Sequence, residues 1–154
     1  RRQRQMCIRD RIHTAGKTKT DLWNNLPEQD HFLESMAEAA KAVTTHCGEN
    51  ILYISVMNRL SVDCDCDSNP EEPKMADIGM LASLDPVALD KACADMVINA
   101  PIIGGNKLAE THPHEHLEGE DKFHLIHPDT NWQAGLRYAE EIGLGSQAYE
   151  LITV

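Results

Sequence analysis

Between residues 31 and 47 apolar side chains recur every three or four positions: Phe32, Met36, Ala39, Ala40, Val43 and Cys47. That spacing predicts an amphipathic helix over His31–Cys47 that buries this stripe. Asp30 stands where an N-cap would, and Gly48 where the chain would leave the helix. The next run, Ile51–Met57, is apolar and β-rich without polar alternation, which predicts a strand covered on both faces. Asp77–Ala82 reads as a second buried strand. In Ser83-Leu84-Asp85-Pro86, Asp85 suits an N-cap and Pro86 the first helical position. The helix that follows is predicted to run to about Asn99, with Leu89, Cys93, Met96 and Val97 on its buried stripe. Thr130 precedes a last helical pattern over Asn131–Ile142, in which Trp132, Leu136, Ala139 and Ile142 share a face and Gly143 ends the run. Tyr149–Val154 has the composition of a short terminal strand.

The order helix, strand, loop, strand, helix, loop, helix, strand points to an α/β fold, with a mostly parallel sheet flanked by helices. The intervening stretches are polar. Ile12–Asp30 reads as a loop with a turn near Leu22-Trp23. Its Ala15-Gly16-Lys17-Thr18 lacks the first glycine of a phosphate loop, and no apolar strand precedes it. Residues 1–11, RRQRQMCIRDR, have neither an apolar period nor a cap. They resemble the peptide made when sequencing-adapter DNA is read in frame. They are therefore set apart as non-native, which leaves 12–154 as part of one α/β domain.

The 154 residues are 42% hydrophobic, enough for one modest core. No apolar run is long enough to span a membrane, and no signal-peptide pattern is visible. The formal charge is −11, although residues 1–11 alone hold five Arg against Asp10. The rest of the chain is more acidic still and repels phosphate backbones, so nucleic acid is an unfavourable partner. Five unevenly spaced cysteines do not form a secreted disulfide framework, and a reducing cytoplasm is the expected compartment.

The chemistry concentrates at Val62-Asp63-Cys64-Asp65-Cys66-Asp67. In an extended segment residues i and i+2 project to one face, so Cys64 and Cys66 could aim both sulfurs at one site. Two such thiols form part of a soft-metal or iron–sulfur ligand set, or a redox pair. Packing thiols in a turn would carry the same residues. The site follows the first strand, at the carboxyl end where open α/β sheets bind ligands. A second candidate is the tract Thr111–His116. There His112, His114 and His116 alternate and could bind zinc or nickel, although a polar loop with incidental affinity has the same composition.

The run VDCDCDSNPEEPKMADIGMLASLDPVALDKACADMV resembles the C-terminal signature of the domain-of-unknown-function family three-six-two, whose members are often labelled iron–sulfur centre proteins. HTAGKT at 13–18, FLESMAEAAKAV at 32–43 and AEEIGLGSQAYELI at 139–152 fit the same family. The resemblance implies that only the C-terminal half is present and that the N-terminal half is the missing partner. Longer relatives carry a ferredoxin-like insert with two runs of Cys-x2-Cys-x2-Cys. No ferredoxin-type four-cysteine motif occurs here. The resemblance carries over to Cys64 and Cys66 as metal ligands and to Asp77, Asp85 and Asp90 as supporting residues.

Three functions follow as expectations. The first is a metal or iron–sulfur associated protein of redox type, acting with a redox partner. The second is an enzyme using the cysteines, Asp77 or Asp85 as nucleophile or acid–base groups. The third is a non-catalytic interaction domain whose cysteines only pack.

Overall fold

The computed structural model describes residues 28–62, 72–103, 108, 110 and 117–154. Helix α1 spans Gln29–Cys47, strand β1 Tyr53–Met57, strand β2 Gly79–Ser83 and helix α2 Pro86–Asn99. Two shorter helices follow, α3 at Lys122–Ile126 and α4 at Trp132–Glu141. Among the described residues the fold is mixed α/β: one two-stranded sheet with helices packed beside it.

The mostly parallel sheet expected from the element order is not what the described residues form. β1 and β2 pair antiparallel, with Tyr53 opposite Ser83 and Met57 opposite Gly79. The chain leaves β1 and returns alongside itself, because Ile78 N–H donates to the Met57 carbonyl and Lys74 N–H to the Leu60 carbonyl. A return of this kind brings β2 back in the opposite direction without a crossover. Both apolar runs nevertheless lie in one sheet, as their composition predicts. β2 begins two residues later than expected, because Asp77 is engaged elsewhere: its carboxylate accepts the Arg59 N–H at 2.8 Å.

One face of this sheet meets α2. Met57, Met75 and Val97 form a buried cluster there, joined by Ile78, Leu81, Cys93 and Met96. The other face is open, contrary to the expectation of strands covered on both sides. Ile54, Val56 and Met80 lie there with more than half of their surface accessible, because no described element packs against them. Each such side chain left exposed forgoes about 1.5–3 kcal/mol of burial free energy.

α2 starts where its sequence says it should. Asp85 Oδ1 accepts from Val87 N at 2.8 Å and Ala88 N at 3.0 Å, with Pro86 in the first turn. It stops at Asn99, since the next residue, Ala100, precedes Pro101 and is held extended.

α1 and α4 pack on each other and on the start of α2, around Ala37, Val87 and Ala139. The stripe predicted for α1 is not the one it buries. Ala37 is buried, while Met36, Val43 and Cys47 are exposed. The reason lies in the partner helix. Gly135 and Ala139 of α4 let the backbones approach, and Leu33 lies 3.4 Å from where a Gly135 Cβ would be. The contact therefore selects the row Leu33, Ala37, Lys41, whose lysine reaches the Gly143 carbonyl. α1 also begins two residues earlier than predicted, so Asp30 is inside its first turn and makes no cap. Its carboxylate instead accepts from Asn131 Nδ2 at 2.7 Å, tying α1 to the start of α4. Residues 149–154 belong to no strand, which corrects the expected terminal strand.

Candidate functional site

The end of the sheet from which the Cys-Asp-Cys segment departs is built from three chain stretches side by side. Lys74 joins them through its backbone. Its N–H donates to Leu60 O at 2.7 Å, and its carbonyl accepts from Ile103 N at 2.8 Å. Met75 and Ile102 form an antiparallel bridge beside it. These bonds fix the departure of residues 63–71 on one side and of the segment after Ile103 on the other.

Beneath the three stretches lies a cavity of about 120 Å³, walled by Leu60, Ser61, Val62, Lys74, Met75, Val97, Leu108, Lys122, Phe123, Ile126 and His127. Its apolar walls contain two buried lysines, Lys74 at 3% and Lys122 at 1% exposure. Lys122 Nζ donates to the carbonyls of Ile98 at 2.6 Å and Leu117 at 2.5 Å. The Ile98 carbonyl belongs to the last turn of α2, where a cation is favoured by the helix dipole. Desolvation pulls the Lys122 amine below the ordinary lysine value, against the opposing pull of Glu118, Glu120 and Asp121. The two carbonyls favour the protonated amine.

Asp121, next to it, was not singled out by the sequence. It caps α3 by accepting from His124 N at 3.1 Å, and its other oxygen accepts from Trp132 Nε1 at 2.9 Å and Gln133 Nε2 at 3.1 Å. Burial pushes its carboxyl up, but these hydrogen bonds outweigh burial and hold it below the usual carboxylate range. The available signal was an Asp immediately before Phe123, Leu125 and Ile126, a capped apolar turn only five residues long.

Cys64 and Cys66 lie outside the described residues, as do His112, His114 and His116. Some of the described residues near them belong to the cavity region. Val62 and Leu108 line the cavity, and Leu117 packs with Ile102 and Leu108. Asp77 is at this same end of the sheet. Asp85 is at the opposite end of β2, capping α2, and the two carboxylates are not brought together. Asp90 faces a separate apolar groove of about 250 Å³ between α1, α2 and α4, where desolvation raises its carboxyl above the usual range.

Of the remaining cysteines, Cys93 packs in the sheet–α2 cluster, as its helix position predicts. Burial pushes its thiol up, a hydrogen bond with Ser55 pulls it down, and the Asp90 charge pushes it up further. Cys47 is exposed at the end of α1 rather than buried. Among the described residues no three His, Cys, Asp or Glu side chains converge into a metal site. No described helix is long and apolar enough to cross a membrane.

A two-stranded antiparallel sheet on a capped helix, with a cysteine-bearing excursion at one end, defines a mixed α/β protein. The chain belongs to the family described as Domain of unknown function (DUF362), whose profile matches residues 5–95. The match begins inside the segment 1–11 and takes in α1, both strands, Cys64, Cys66, Asp77, Asp85 and Asp90. The histidine tract and the resembling run at 139–152 lie beyond it. No curated protein and no solved structure matches the chain.

Proposed function

We propose that this chain is a metal or iron–sulfur associated protein of redox type, with Cys64 and Cys66 as two thiolate ligands at the edge of the cavity. The observation that supports it is that Leu60 and Lys74, described residues before and after the cysteine segment, are bonded to each other in the wall of a cavity that contains two buried lysines. Asp63, Asp65 and Asp67 oppose thiolate formation. Buried ammonium groups and a bound cation favour it. A thiolate-ligated cluster carries net negative charge, and low-dielectric surroundings with fixed cations suit it.

The donor set is partial: two soft thiols fit half of a four-ligand site. The rest would come from the N-terminal half of the same protein, or from His112, His114 and His116. A protein redox partner would exchange electrons with the centre, which would supply one-electron chemistry when bound. A reducing cytoplasm keeps the thiols available. The open sheet face of Ile54, Val56 and Met80 supports an incomplete domain.

The test is metal and acid-labile sulfide per chain, on protein that includes the N-terminal half and is purified without oxygen. Cys64→Ser and Cys66→Ser should each lower bound metal at least several-fold, and His114→Ala should lower it less. Unchanged metal content in both serine variants would leave the cysteines as packing residues and end this reading.

A further inference from the structure

We draw no further inference here: the strongest candidate, the apolar groove of about 250 Å³ between α1, α2 and α4 with Asp90 on its wall, offers one carboxylate among apolar side chains, and nothing in the structure shows what covers it.

Discussion

Asp85 and Ser146, 61 residues apart, are joined by a 2.8 Å hydrogen bond from the Ser146 N–H to Asp85 Oδ2, while Oδ1 of the same carboxylate caps α2. One side chain thus fastens the turn after α4 to the start of α2. Gly145 makes the approach possible: a Cβ there would stand 2.0 Å from Asp85 Oδ1.

Asp85→Ala should cost about 2–3 kcal/mol, the sum of a lost cap and a lost charge-assisted bond. Gly145→Ala should also destabilise, through the clash. In the Asp85→Ala background Gly145→Ala should cost much less, because the obstructing carboxylate is gone. Urea unfolding of the four proteins measures this coupling. Additive effects would show that the carboxylate is not what Gly145 makes room for.

The stability of the α3–α4 corner should fall with acid in a way that Asp121 controls. Its folded pKa is depressed, so its contribution is complete above the unfolded value of about 3.9 and is lost as pH falls through the lower folded value. In a Trp23→Phe background, Trp132 emission should shift over that acid window as the indole N–H loses its carboxylate acceptor. Asp121→Asn should flatten the shift, and an emission profile identical in both proteins would contradict this account.

Asp90 works in the opposite direction. Desolvation raises its folded pKa, so the ionised carboxylate destabilises the fold near neutral pH. Asp90→Asn should therefore raise the unfolding midpoint at pH 7. The gain should shrink as pH falls through the raised folded value and vanish below about 3.9, where both states of the native residue are neutral. A loss of stability at pH 7 would mean that the carboxylate has a favourable partner.

Lys122→Met retains much of the side-chain volume but removes one of two donors from each of the Ile98 and Leu117 carbonyls, which keep the Gly119 N–H at 2.9 Å and the Glu120 N–H at 3.3 Å. Losing the two bonds from the amine should cost about 1–3 kcal/mol. Limited proteolysis should then cut within 117–126 faster than in the native protein. Equal cleavage rates would show that water replaces the amine.

The parts of this fold legible in the sequence are those set by neighbouring residues. Asp85-Pro86 specifies a helix start through its own backbone, and the two apolar runs find each other in one sheet. Strand direction was not legible, because it depends on how Leu60 and Lys74 meet across a segment whose polarity is compatible with either direction. The buried face of α1 was not legible either. Apolar residues at 32, 33, 36, 37, 39, 40 and 43 cover too wide an arc, and Gly135 and Ala139, a hundred residues away, select the side. Asp121 and Lys122 draw their importance from contacts with Trp132, Ile98 and Leu117, which no local pattern announces. The residues Cys64 and Cys66 stood out by spacing alone, and they lie outside the described residues.

Lys74 holds the departures of both the cysteine segment and the segment leading to the histidines. A donor tethered to a fixed wall by a short linker has an effective concentration near that wall in the millimolar range. A metal ion held at Cys64 and Cys66 would therefore meet tethered nitrogen donors faster than donors diffusing from a dilute solution. Free imidazole would need to exceed that local level before it competed. Lengthening the chain between Leu108 and His112 would lower the level gradually, roughly as the −3/2 power of tether length.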